Sequence, residues 1–259
     1  MNLPPIAIAL ISWVLVVSGG LLGMWVGPRL PERHRSGETQ TAVAVSMAMV
    51  STLTAMVLGL LLSVSNSSFR SNQEQVMSTS SDLIRMDHLF RLYGQEAATA
   101  RDFMHQYAIS MKQDLFPDGG HPSNVENEAT LDLMAKAEDA AATLAPATAT
   151  QRWLQTRILE VADTIVQEHF ALVKQNLDDI PMSLIAMLIL WLVLLFAGHG
   201  LFAPRHLTSV LVLLVSSGAA SGALFLMLEL DTPNSGFVKL SAAPLQHAID
   251  VMQRHPITK

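Results

Sequence analysis

The chain has 259 residues, half of them hydrophobic and only 15% charged, with no cysteine and a formal net charge of −6. That balance is too apolar for an ordinary soluble domain, and the lack of cysteine excludes disulfides, thiolate catalysis and cysteine-ligated zinc. The negative charge sits in residues 66–180, where nine Lys and Arg face seventeen Asp and Glu, so nucleic acid is a poor partner for that segment.

The first element is an uncharged run, Ile6–Val26. Pro4 and Pro5 suit a helix start and Gly27-Pro28 a stop. The leader "MNLPP" has no Lys or Arg and no small-x-small site follows the run, so it is expected to be a retained span rather than a secretory signal. Further uncharged runs are Ala42–Val64, Met182–Phe202 and Leu207–Leu228, and all four are 21 to 23 residues long. At about 1.5 Å rise per residue, each crosses the roughly 30 Å hydrocarbon core as a helix. The chain reads as an integral membrane protein with the lipid bilayer as its first partner.

Short loops join the spans into two antiparallel hairpins, within residues 1–65 and 181–230. The termini and the polar middle, 66–180, then share one face of the membrane. Arg29, Arg33, Arg35 and Arg205 lie in the short loops, whereas only Arg70, Lys174 and Lys239 flank the spans on the other face. This count puts the short loops in the cytoplasm, with the helical domain and both termini outside, periplasmic in a Gram-negative host.

The middle segment reads as helical. Leu83, Met86, Phe90, Tyr93, Ala97, Ala100, Met104, Tyr107 and Met111 recur at steps of three and four, a coiled-coil-like seam. Asp82–Arg85 and Asp87–Arg91 have the spacing of modest surface pairs. Gly94 is the one glycine from the end of the second span through the seam, so the second span is expected to continue as one helix of about 70 residues. Turn residues in "FPDGGHPSNVE" end it, a shorter helix runs to about Leu144, and "LAPATAT" breaks that. A third helix, from about Gln151, carries Leu154, Ile158, Val161, Ile165 and Leu172 on one side, with His169 at its edge as a packing residue. The fold class is all-α: four transmembrane helices with a helical, coiled-coil-like domain inserted between spans two and three.

Small residues line one stripe of the second span: Ala44, Ala48, Thr52, Ala55, Gly59 and Ser63. Such a stripe permits close helix packing in lipid, and in a ring of helices it would equally line a pore. Gly19 with Gly23 and Gly218 with Gly222 repeat the spacing and are expected at helix contacts, within or between subunits. His34, His199 and His206 fall near the short-loop face without the spacing of a metal site. "GAASG" at 218–222 misplaces its serine for a nucleophile elbow, and no phosphate-binding loop, zinc-protease motif or dinucleotide fingerprint occurs. No catalytic residue, metal or cofactor is expected, and the chain does not read as an enzyme.

After the fourth span come Glu229 and Asp231, then a turn, "DTPNSG", with Pro233 and Gly236 as its turn residues. The two carboxylates fit either the end of a span at the interface or the mouth of a conduction path. Residues 231–259 close the chain with a tail helix capped by Ser241. Its apolar side, Leu245, Ile249 and Met252, would dock on the membrane or on the helical domain.

Four stretches together, "LPERHRSGET", "DHLFRLYGQEAATAR", "GLFAPRH" and "FLMLELDTPNSGFVKLSAAPL", resemble the bestrophin-like family, a largely bacterial group of four-span membrane proteins. Asn234 departs from the aromatic expected after the proline. The resemblance implies residence in the bacterial inner (plasma) membrane and assembly as a homo-oligomer. Since bestrophins are pentameric anion channels lined by their second span, it also implies an ion channel. Thr52, Ala55, Gly59 and Ser63 would then face the pore, with Glu229 and Asp231 near its mouth. The acidic segment 66–180 argues for cations over anions. The competing reading is a non-conducting scaffold or sensor whose helical domain binds a partner through the seam.

Overall fold

The computed structural model describes residues 4–31, 36–117, 124, 127–177, 180–231 and 238–254. Among them are eight α-helices and no strand: α1 (Pro5–Val26), α2 (Gly37–Tyr93), α3 (Ala98–Leu115), α4 (Glu128–Ala142), α5 (Ala149–Leu177), α6 (Met182–Phe202), α7 (Leu207–Asp231) and α8 (Ala243–Arg254). Four of them, α1, α2, α6 and α7, are long and apolar enough to cross a membrane. The protein is an all-α, four-span membrane protein. Its helices gather into two compact units, a membrane unit within residues 1–68 and 180–238 and a helical unit largely within 69–179 and 239–259.

Lipid tails are as apolar as leucine, so close packing rather than water exclusion must hold the spans of the membrane unit together. Glycines on α1 provide it. A Cβ built on Gly19 would fall 2.9 Å from the Val193 carbonyl oxygen, and one on Gly23 or Gly27 would enter the backbone of Ala197 or Leu201. From α6, Gly200 is pressed in the same way against the Gly20 carbonyl. These two helices therefore meet backbone to backbone. Gly218 and Gly222 share the spacing but not the contact: a Cβ at Gly222 would meet nothing within 4 Å, and one at Gly218 only Trp13 Nε1, at 3.7 Å.

The end of α1 is capped from both short loops. Its last carbonyls have no intrahelical partner. Arg205 Nη2 donates to Met24 O at 2.9 Å and to Trp25 O at 3.1 Å, and Arg29 Nη1 donates to Trp25 O at 2.6 Å. The Arg29 guanidinium also lies over the Trp25 ring, 3.5 Å from its centre. Positive charge at a helix C-terminus is favourable. The membrane half of α2 joins this unit along one face, where Val57, Leu58, Leu61 and Leu62 pack on Ile185, Leu188, Leu224, Met227 and Leu228 of α6 and α7.

The helical unit has a single core built from the end of α2 with α3, α4, α5 and α8. All nine seam residues, Leu83 to Met111, are buried in it, as are Leu154, Ile158, Val161, Ile165 and Leu172 of α5. Asn127 caps α4 by accepting from Ala129 N at 3.2 Å. Ser241 Oγ accepts from Ala243 N at 3.3 Å at the start of α8, whose Leu245, Ile249 and Met252 are buried in the same core. Of the two docking surfaces open to the tail helix, it takes the helical unit.

Two expectations are corrected here. The second span does not run on as one helix of about 70 residues: α2 ends at Tyr93, and Gly94 adopts φ +117°, a conformation closed to residues with a Cβ. A 3-10 turn at Gln95–Ala97 then leads into α3. Nor is Asp87–Arg91 a surface pair. Asp87 is fully buried, accepting from Arg91 Nε at 3.0 Å and from Arg101 Nε at 2.6 Å, and Arg101 Nη2 reaches on to Met252 O at 2.7 Å. One carboxylate thus clasps the helices on either side of the Gly94 break, with α8 as the third member.

Candidate functional site

The stripe on α2 is the feature that packing within the chain leaves unused. Residues 50–65 turn one side, Thr54, Val57, Leu58 and Leu61, toward their own chain, and that side packs. The stripe lies on a different face. Ala44, Ala48, Thr52, Ala55, Gly59 and Ser63 are all exposed, and a Cβ added at Gly59 would meet nothing within 4 Å. Beside the stripe stand bulky exposed residues, Met49, Met56 and Leu60. Of the four spans, α2 is the least covered: 6% of its most apolar window is buried, against 22–28% in the others.

Three hydroxyl groups in the membrane half of α2 are satisfied locally. Thr52 Oγ1 donates to Ala48 O at 2.9 Å, Ser51 Oγ to Met47 O at 2.7 Å, and Thr54 Oγ1 to Val50 O at 2.7 Å. Bonding back to the preceding turn allows a serine or threonine to face an apolar medium without an orphaned donor. Of the three, the exposed Thr52 hydroxyl keeps its acceptor lone pairs open to the surroundings.

Within the membrane unit α2, α6 and α7 line an open-sided, largely apolar pocket of about 610 Å³. Ala55 of the stripe reaches its wall, with Ser51, Thr54 and His199. His199 Nδ1 lies 2.9 Å from Leu195 O. A carbonyl can only accept, so Nδ1 is the donor in this contact. The sequence pattern singled out neither Ser51 nor Thr54, because both fall off the small-residue stripe.

The acidic pair after the fourth span is engaged by backbone. Glu229 is buried, and its Oε1 accepts from Val238 N at 3.1 Å. Asp231, half-buried, accepts from Ile180 N through Oδ2 at 3.2 Å. The carboxylates therefore hold the chain entering α6 and the chain beyond α7. Pro233 and Gly236 lie outside the described residues, as does His34.

Phe90 and Tyr93 are spent inside the helical core and offer no face to a partner, contrary to the reading of the seam as a docking surface. In the same core Tyr107 Oη lies 3.1 Å from His169 Nδ1, and burial first, then the charge of Glu168, pushes the Tyr107 hydroxyl well above its usual pKa. No group of three His, Asp or Glu among the described residues is arranged to hold a metal ion.

Residues 14–245 match the family model described as the bestrophin-like domain. Solved structures share the fold at low sequence identity. One bacterial bestrophin homologue from Klebsiella pneumoniae, a single-residue variant, is 15% identical with a TM-score of 0.64, covering 95% of this chain and 98% of its own. Another variant of the bestrophin homologue from that organism is 14% identical with a TM-score of 0.62, covering 98% of both chains. A membrane-protein variant, 14% identical, gives a TM-score of 0.65 over 95% of this chain and 97% of its own. No curated protein matches the chain.

Proposed function

Because the chain belongs to the bestrophin-like family, we propose that it assembles as a homo-oligomer around a central ion pore lined by α2. The observation that carries this reading is the stripe. Thr52, Ala55, Gly59 and Ser63 are exposed in the single chain while the opposite side of the same helix packs. A ring of copies turns those small and hydroxylated residues inward, and Met49, Met56 and Leu60 fill the seams between neighbouring copies. The chain following α2 is rich in carboxylates, which concentrates cations and disfavours anions. Asp231, more open than Glu229, is the member of that pair able to meet an ion at the mouth. Conduction requires no catalytic residue and no cofactor.

The test is reconstitution of purified protein in planar bilayers with asymmetric salt. Cation-selective current is expected, and Gly59→Trp should cut it to about a tenth or less by narrowing the path. Open space at Gly59 predicts that the variant folds. Current unaltered by Gly59→Trp in an intact oligomer would remove α2 from the pore. Loss of the oligomer, read by light scattering, would instead place the stripe at a contact between copies.

In the bacterial plasma membrane the basic count sets the short loops on the cytoplasmic side and residues 66–180 outside. Fusion of a periplasmically active reporter at Lys259 is expected to give signal. A reporter active only in the cytoplasm, signalling from the same position, would reverse the orientation.

A further inference from the structure

The end of α1 carries more positive charge than capping or conduction uses. Arg29 and Arg205 come from different loops, yet both donate to the Trp25 carbonyl, at 2.6 and 3.1 Å, so their guanidinium groups are neighbours. Every ion pair among the described residues lies between Asp82 and Glu160, so neither arginine has a carboxylate partner there. A helix C-terminus presents only about half a negative charge, which leaves two adjacent cations under-neutralised. Arg29 spends one nitrogen on protein and Arg205 two. Nε and Nη2 of Arg29, and Nη1 of Arg205, remain as donors.

The surroundings indicate which anion would fit. Both arginines are exposed and sit just past the last turn of a span. Trp25 is exposed beside them, with Leu21, Leu22 and Val26 also open on the same helix end. An indole at the end of a span marks the headgroup level, and the apolar residues below it mark the level of the first acyl carbons. A soluble phosphate would use only the guanidinium donors, whereas a phospholipid would use those donors and the apolar surface together.

We propose that Arg29 and Arg205 form a binding site for the phosphate of an anionic lipid headgroup, with Trp25 and Leu22 against its glycerol and upper acyl chain. Guanidinium forks match phosphate oxygens in pairs, and a net negative headgroup neutralises the arginine pair where a zwitterionic one does not.

The test uses the full chain in detergent, titrated with phosphatidylglycerol, phosphatidylcholine or inorganic phosphate. Bound lipid is read by native mass spectrometry and thermal stabilisation by Tm. Phosphatidylglycerol is expected to bind about tenfold more tightly than phosphatidylcholine, with the preference shrinking as salt is raised. Arg29→Gln should abolish most of that preference whatever it does to Tm in phosphatidylcholine. Arg29→Lys should keep part of it, since lysine keeps the charge but loses the fork. Equal binding of the two lipids by the unaltered chain overturns the site, as does a preference that survives Arg29→Gln. Competition by inorganic phosphate at matched concentration would make it a soluble-anion site and overturn the lipid assignment.

Discussion

The two units solve the same problem by opposite means. In the membrane unit the closest contacts are between backbones, at Gly19, Gly23, Gly27 and Gly200, and large side chains such as Leu10, Leu22, Met56 and Leu194 point outward. In the helical unit large side chains such as Tyr107, Phe90, Met86 and Met104 are buried completely, and a buried carboxylate holds two partly buried arginines among them. The difference follows from the surrounding solvent. Water rewards the burial of apolar side chains, while lipid is indifferent to it and rewards only closer packing. Volume therefore carries the helical unit and the absence of volume carries the membrane unit. Substitutions that add or remove atoms should have opposite consequences in the two.

The sharpest break of that contrast lies in the helical unit, at Asp87. Removing the carboxylate takes the Asp87 counter-charge from Arg101, which is largely buried, and from Arg91 beside it, and should cost about 3–5 kcal/mol. Hydrogen exchange on Asp87→Ala is expected to show lost protection in α3 and α8, the elements Arg101 joins. The double variant Asp87→Leu, Arg101→Met should cost less than Asp87→Leu alone, because the one charge it leaves without its carboxylate is Arg91, which water reaches. Full additivity of the two losses would mean that the clasp is not an energetic unit.

In the membrane unit the smallest possible addition suffices. A methyl group at Gly23 enters the Ala197 backbone, and the helices must separate, at about 1–3 kcal/mol. At Gly222 the same methyl group meets open space, and alanine's better helix propensity should leave stability equal or raise it by up to about 1 kcal/mol. Thermal unfolding of Gly23→Ala and Gly222→Ala in lipid nanodiscs should therefore move Tm in opposite directions. Equal losses at both would show that glycine spacing, rather than contact, matters.

The same contrast decides what was legible in the sequence. Uncharged length marks a span whatever packs on it, so α1, α2, α6 and α7 were readable, as was the seam whose period survives the interruption at Gly94. Gly94 itself was visible and misjudged, since a glycine in a string does not disclose its φ of +117°. Arg101 was invisible as a partner of Asp87 because fourteen residues and a broken helix separate them. Periodicity put Thr52, Ala55, Gly59 and Ser63 on one face, but a face has no neighbour until the fold supplies one, and among the described residues all four stay exposed, with only Ala55 reaching a pocket wall. Glu229 read as interfacial because a carboxylate at the end of a greasy helix usually meets water. One partner, Val238 N, comes from nine residues further along the chain.

The smallest effect is found at Glu138, where the helical unit carries like charges against one another. Partial burial first, then Asp163 of α5 and Asp139 on its own helix, raise the Glu138 carboxyl above its usual 4.5. The folded chain thus holds that proton more tightly than the unfolded chain does. Its contribution to stability is fully present below the ordinary carboxylate value and is lost as pH rises through the raised one. Ionised Glu138 is consequently a mild liability at neutral pH, screened by water because the side chain is only half-buried. Glu138→Gln should raise Tm at pH 7 by a fraction of what the two substitutions above cost. The gain should vanish on descending to pH 4, where the native carboxyl is protonated as well. A gain of equal size at both pH values would assign the effect to packing, and a loss at pH 7 would mean that the carboxylate has a favourable partner.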